Sequence, residues 1–520
     1  MRERQKVNSV PPIPSFGGPR ARLPWLTFFL LLILALDVGL LLFALDNPFD
    51  GFHGIQEAWY AGVARNYASH SFLEPTTSDG MLDLNVPPLF SYLVWLSFKI
   101  FGESELSARL VPVCFALLTL LGTYLLGRTL MRKESGLEAA ALLGSTPIFL
   151  ILGRSVQTDI LFVCLSLFYV LFYMKARKSE RKVDHIVAGL FLGTALFSKQ
   201  FAVVPLAAVL LWEALGHGRV RLVRPNFMIM LAVAGLVLAP FYGYHLVQNA
   251  GYLLDSQLHG SASKAGLASG VMLSFIISEM LWGCSPLFFM GALAGLGIMM
   301  RHRSRERVLA ALMVGCFFLF YLFLHRHSYY FFGMTPFLAM CFTELSTKMS
   351  RRLYSGALVA TAATAFLLSA YQLAGCKYGF GEMEQVGRRL RGYERPVVLV
   401  DESFYFNNKP LFHYYAGNAR LLLRSSRFSP EAQEVIRGGD RVFSFSALPL
   451  AGPGADVTPV TQTQYGLRLR DAVYVHNPPN LHFFTPALPA RADAFKIISS
   501  FGPFVKIETV SFFLISEEGN

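Results

Sequence analysis

The sequence predicts a polytopic α-helical membrane protein of about eleven spans, with an extracytoplasmic α/β domain at its C-terminal end. Three observations carry this. Hydrophobic residues make up 53% of the 520 and charged residues only 15%, and mean hydropathy is +0.44, far from the balance of a soluble domain. The apolar residues fall in runs close to the roughly 17–25 residues that a helix needs to cross hydrocarbon. The basic residues gather in alternate connections, as the positive-inside rule requires.

The elements follow in order. Residues 1–22, MRERQK and then a Pro/Gly-rich tract, read as a cytoplasmic segment with the basic flank of a signal peptide. The run at 24–45 is long enough to span and predicts an uncleaved first helix. Further runs lie at 107–130, 137–156, 159–174, 185–198, 200–215, 226–247, 284–300, 308–324, 331–346 and 353–372. Shorter apolar stretches at 88–101 and 268–282 read as helices at the interface or tucked beside the bundle.

The basic loops are Arg132–Lys133, 175–182, 219–224, 301–307 and 347–352, all placed with the N-terminus in the cytoplasm. The opposite set then faces outward: 46–106, the turns near 157 and 199, 248–270 and 325–330. An odd number of spans leaves everything after 372 outside as well. The chain therefore divides into the segment 1–22, a membrane domain 23–372 with the outer loop 46–106, and an outer domain 373–520.

That outer domain alternates strand and helix patterns: strands at 395–402, 419–423 and 441–446, helices at 406–417 and 429–439. Such alternation reads as a small α/β unit. The net charge of +12 sits mostly in the topogenic loops, so nucleic acid is not an expected partner. The six cysteines have no metal-ligand spacing and read as small buried hydrophobes.

The outer loop 46–106 is the one long polar and aromatic stretch between spans, and loops of that length are seldom mere connection. It carries Gln56-Glu57-Ala58-Trp59-Tyr60-Ala61, then Pro87-Pro88-Leu89, then Phe101-Gly102-Glu103 leading to Ala108-Arg109-Leu110. Further along come Gly153-Arg154 with Asp159, Lys199, and the cluster Arg326, Tyr329, Tyr330 and Pro336. In this order the features resemble the GT-C superfamily, specifically the protein O-mannosyltransferase-like transferases that include the lipid A aminoarabinose transferases. The resemblance covers residues 25 to 372. It departs at three positions: Gln56 stands where the family has Asp, Trp59 where Arg is frequent, and Asn85-Val86 where Glu-Lys precedes the two prolines.

The resemblance implies a membrane glycosyltransferase of the plasma or bacterial inner membrane. It would move a sugar from a polyprenyl-phosphate donor to a lipid, glycan or protein acceptor on the outer face. Such a reaction asks for a carboxylate to orient or deprotonate the acceptor, and for cations or hydroxyls where charge builds on the leaving phosphate. Glu57 matches the motif and is the leading catalytic carboxylate; its plainer reading is an ion pair on a helix surface, worth a few tenths of a kcal/mol. Asp159 is an ionisable group near membrane depth, where such groups have a partner or a task, and Arg154 is an obvious partner. Asp83 is the third candidate carboxylate, with a turn residue as its plainer reading.

On the substrate side stand Gln56, Trp59, Tyr60, Asn85, Arg109, Arg154, Lys199, Arg326, Tyr329 and Tyr330, whose plainer role is interfacial anchoring. No metal site is predicted. A divalent ion is compatible only with the i,i+4 pair His53 and Glu57, and two ligands make a weak signal. Asp37, inside the first run, must be neutral, paired or facing a wet cavity. The Gly/Ser-rich loop 252–266 suggests a hinge for lipid entry. Two other functions compete: an inactive relative that binds lipid-linked sugar or assists a partner, motivated by the three departures, and a transporter, against which the lack of paired repeats argues.

Overall fold

The computed structural model describes residues 24–49, 54–217, 224–256, 270–301, 304–323, 328–375, 383–400, 409–410, 412–417, 419–423, 430–438, 441–446 and 513–517. Helices dominate. Among the described residues six are long and apolar enough to cross a membrane: α1 (Pro24–Leu42), α4 (Glu105–Leu130), α7 (Thr158–Ser179), α10 (Pro225–Gln248), α14 (Arg305–Phe323) and α16 (Arg351–Gly375). A seventh span results if the bent pair α12 (Gly270–Cys284) and α13 (Pro286–Arg301) is taken as one.

The remaining apolar runs form shorter helices, and the breaks have local causes. The run at 137–156 is two helices, α5 (Ser135–Gly144) and α6 (Pro147–Leu152). Thr146, placed before Pro147, is extended at φ −73°, ψ 138°, the region to which a residue preceding proline is confined. Pro286 follows a similar break: α12 and α13 meet at 105° across Ser285, whose φ is +75°. The run at 200–215 begins as a 3-10 turn (Gln200–Ala202) and continues as α9 (Val203–His217). The run at 331–346 is a 3-10 segment (Ser328–Met334), α15 (Thr335–Thr343) and a second 3-10 turn.

The outer loop is itself largely helical. It holds α2 (Gly54–Asn66) and α3 (Leu89–Phe101), which pack on each other and on the start of α4. Gly102 ends α3 with φ +82°, a conformation glycine adopts without strain. Two residues later Ser104 opens α4 with a capping box to Ser107. Close helix approach elsewhere rests on small residues. On α8 (Lys182–Ser198), Gly189 and Gly193 face α10, and a Cβ at either would meet the carbonyl of Met230 at 2.5 Å or of Ala234 at 2.9 Å. This is the small-xxx-small arrangement of membrane helix pairs.

Asp37 is buried in α1 and accepts a long hydrogen bond, 3.4 Å, from Ser145 Oγ at the α5–α6 break. Ser369 Oγ on α16 in turn donates to the Ser145 carbonyl at 2.6 Å. The buried Asp37 of the first span is thus tied to the α5–α6 break, where a backbone carbonyl is freed from its helix.

In the tail, β1 (Pro396–Val400), β2 (Arg420–Leu423), β3 (Arg441–Ser446) and β4 (Phe513–Glu517) form a sheet in the order β2-β1-β3-β4. The first three strands are parallel, with Val398 opposite Leu421 on one side and Phe443 on the other; β4 is antiparallel to β3. Every residue of β1 is buried, as expected of a central parallel strand. Val398 and Val400 share a hydrophobic cluster with Phe412, Phe49, Ala58, Phe90 and Ala108, so the tail packs directly onto the outer loop.

Candidate active site

Two polar constellations involve residues of α2. The first is built on Glu57. Its Oε1 accepts from Arg109 Nε at 3.1 Å and from the Val156 amide at 3.0 Å, and its Oε2 accepts from Arg109 Nη2 at 2.9 Å. Arg109, from the first turns of α4, also donates to the carbonyls of Leu45, Asn47 and Pro48, which follow α1. Both side chains are almost fully buried. A bidentate, enclosed pair of this kind fixes the geometry of both side chains. Glu57 therefore joins α2, α4 and the segment before α7.

Arg154 does not pair with Asp159. Its Nη2 donates to the carbonyls of Phe43 and Ala44 at 2.7 and 3.3 Å, just beyond the end of α1. It belongs with Arg109 among the residues that hold the chain after the first span.

The second constellation gathers most of the other sequence candidates. Trp59 and Asp83 are 24 residues apart, yet Trp59 Nε1 donates to Asp83 Oδ2 at 2.7 Å, while the Asn85 amide donates to Oδ1 at 3.0 Å. Gln200 Nε2 donates to the Asn85 carbonyl at 2.9 Å. Lys199, held in extended backbone at the end of α8, reaches Asp159 Oδ1 at 2.6 Å. Its ammonium also lies 5.2 Å from the ring centres of Tyr329 and Tyr330 and 4.7 Å from that of Phe201. Gln56 Nε2 closes the group by donating to the Tyr329 hydroxyl at 2.9 Å across 273 residues of sequence.

The electrostatics follow from burial. Burial pushes the Asp83 carboxyl above its usual range, against the opposing hydrogen bonds from Trp59 and Asn85. Tyr60 is pushed up by burial and then by the charge of Asp159, which places its phenol beside this group although no direct hydrogen bond links it to the carboxylates. Tyr329 is raised by burial first, then by its neighbour Tyr330 and by Asp159.

One residue of this region has no signal in the motif comparison. Gln157 precedes α7 and is fully buried, and neither its Nε2 nor its Oε1 meets a hydrogen-bond partner among the described residues. A buried amide without partners is costly, and here it adjoins Asp159. The polar run Arg154-Ser155-Val156-Gln157-Thr158-Asp159 between two apolar runs was the only hint in the sequence. Arg326 and His53 lie outside the described residues, as does most of the loop 252–266. Among the described residues no three His, Cys, Asp or Glu side chains gather as metal ligands, and Asp83 and Asp159 are engaged by an indole, an amide and an ammonium, a donor set unlike a metal cage.

Comparison with known proteins agrees with this architecture. Residues 85–244 match the family model described as Dolichyl-phosphate-mannose-protein mannosyltransferase. A curated but uncharacterized protein of Aquifex aeolicus is 31% identical over 153 residues, a match that spans 28% of this chain and 30% of that relative's length. Among solved structures, ArnT from Cupriavidus metallidurans bound to undecaprenyl phosphate superposes with a TM-score of 0.66 at 14% identity, over 84% of this chain and 97% of that one. The Archaeoglobus fulgidus oligosaccharyltransferase gives 0.53 at 14% identity, over 81% of this chain and 69% of its own. The chain shares the fold of these two structures, and residues 85–244 carry the match to the mannosyltransferase family model.

Proposed function

We propose that the protein is a polyprenyl-phosphate-sugar-dependent glycosyltransferase of the plasma or bacterial inner membrane, acting on the face that bears the loop 46–106. The observation that carries this reading is the convergence of Asp83, the Lys199–Asp159 pair and Tyr329–Tyr330 beneath α2, from segments up to 273 residues apart. The two similar structures support the donor class: ArnT is bound to undecaprenyl phosphate, and the Archaeoglobus enzyme has been captured with a dolichol-phosphate.

In the reaction the bond from the sugar's anomeric carbon to the phosphate oxygen breaks, and a bond from that carbon to the acceptor heteroatom forms. The acceptor proton passes to Asp83, whose two oxygens are oriented by Trp59 and the Asn85 amide. A base with a raised pKa is better matched to that task than an ordinary carboxylate. The departing polyprenyl phosphate carries its charge toward Lys199. That ammonium has three donors and gives one to Asp159. Gln56, where the family has an aspartate, is neutral and holds Tyr329, so the basic role falls to Asp83 and Glu57 is a positioning residue.

The test is sugar release from a panel of polyprenyl-phosphate sugars by the purified protein in lipid nanodiscs, beside Lys199→Met. Turnover with at least one donor, and its loss in the variant, is expected. Donor binding without turnover, equal in both proteins, would instead make the chain an inactive relative that binds lipid-linked sugar.

A further inference from the structure

At the opposite end of α7 from Asp159, roughly 30 Å away along the helix, an open cleft of about 570 Å³ lies between the end of α7 and the starts of α8 and α10. Its floor is aromatic: Tyr173 and Phe227 meet edge to face with ring centres 6.2 Å apart. Its walls are basic, with Arg177, Lys182, His185 and Arg224 facing it. Two carboxylates answer them. Glu213, buried behind the floor, accepts from Tyr173, Arg177 and Arg305. Glu180, at the rim, accepts from Arg224 Nη1 at 2.9 Å. Among the described residues, Arg177, Arg305, Lys182 and Arg224 set against Glu213 and Glu180 leave a surplus of two positive charges before His185 is counted.

Glu180 is placed unusually. It ends α7 with φ +54°, a left-handed position where glycine is the unstrained choice. The Glu180 and Arg224 side chains are 62% and 49% exposed, so the pair is weak and readily exchanged. On the outer side of the same wall, Val183, Ile186 and Leu190 of α8 are exposed, an apolar flank running away from the cleft toward the middle of the helix. A cationic, partly aromatic cavity of this size, opening beside an apolar helix face, suits an anion carried on a hydrocarbon tail.

We propose that this cleft binds a phosphate ester, with Lys182 and Arg224 taking the phosphate oxygens and Glu180 as the resident anion that the ligand displaces from Arg224. The apolar flank favours a lipid headgroup over a soluble phosphate. The site lies on the face of the basic loops, away from the proposed reaction, and does not depend on it.

The full-length protein in phosphatidylcholine nanodiscs serves as the test, with phosphatidylglycerol as the lipid probe and inorganic phosphate as the soluble one. Retention of phosphatidylglycerol is read by native mass spectrometry after detergent release. Lys182→Gln and Arg224→Gln are each expected to weaken retention about fivefold. Glu180→Gln, which frees Arg224, is expected to strengthen it, an outcome that misfolding cannot imitate. Phosphatidylglycerol retained and not displaced by millimolar phosphate assigns a lipid ligand; displacement by phosphate assigns a site open to soluble esters as well. Retention unaffected by all three substitutions, or weakened by Glu180→Gln, would overturn the proposal.

Discussion

The difference between Glu57 and Asp83 turns on which oxygen atoms are already engaged, which no motif reports. In the sequence Glu57 stands closest to the family's acidic position, and Asp83 reads as a loop residue. In the folded chain Glu57 is closed in by Arg109 and the Val156 amide, while Asp83 is held by neutral donors beside the Lys199 group. Because burial raises Asp83, the native protein holds its proton more tightly than the unfolded chain does. Its contribution to stability is full below the unfolded carboxylate pKa of about 3.9 and is lost as pH rises through the higher native value. Turnover has the opposite slope, rising through that same native value as the base ionises, and a pH–rate profile beside Asp83→Asn checks both. Lys199→Met strands Asp159, and breaking a buried pair from one side costs about 3–5 kcal/mol. The double variant Lys199→Met/Asp159→Asn is expected to recover much of the melting temperature and none of the transfer; recovery of both would remove Lys199 from the chemistry.

Among elements, the long apolar helices were legible from hydropathy, and α1, α4, α7, α10, α14 and α16 each fall on a predicted run. The breaks were not. Pro147 and Pro286 sit inside or beside apolar runs, and whether such a proline ends a helix depends on what receives the freed carbonyls; at Ser145 the receiver is Ser369, 224 residues away. The contact of α8 with α10 was also silent, since glycines four apart signal an interface without naming the partner. Gly193→Val would push a side chain into the Ala234 carbonyl. Overpacking of that kind costs about 1–3 kcal/mol, so thermal unfolding in nanodiscs should shift downward, whereas Gly235→Ala, where a Cβ meets nothing within 4 Å, should leave it in place.

Over the whole molecule, the tail and the outer loop act as one body. Tyr415 donates to Glu105 Oε1 at 2.7 Å and accepts from the Phe49 amide at 2.8 Å. Arg65 stacks 3.9 Å over the Tyr414 ring, and Lys409 meets Asp79 Oδ2 at 2.6 Å. The strand patterns of the tail could be read from sequence, but this docking could not, because its contacts join residues more than 300 positions apart. Partial burial pushes Asp79 up, yet Lys409 and Thr77 pull harder and leave it below the usual carboxylate range. A depressed native pKa gives stability that is present above the unfolded value of about 3.9 and is lost as pH falls through the native one. Hydrogen exchange at residues 412–417 should therefore accelerate in mild acid, and Lys409→Met should abolish that pH dependence. The most direct measurement compares sugar transfer by Asp83→Asn and Glu57→Gln with the same donor, alongside donor binding. The proposed mechanism predicts that Asp83→Asn binds donor and loses about a hundredfold or more in turnover, while properly folded Glu57→Gln retains most of it. Wild-type turnover in Asp83→Asn, with loss confined to Glu57→Gln, would contradict it and return the chemistry to Glu57.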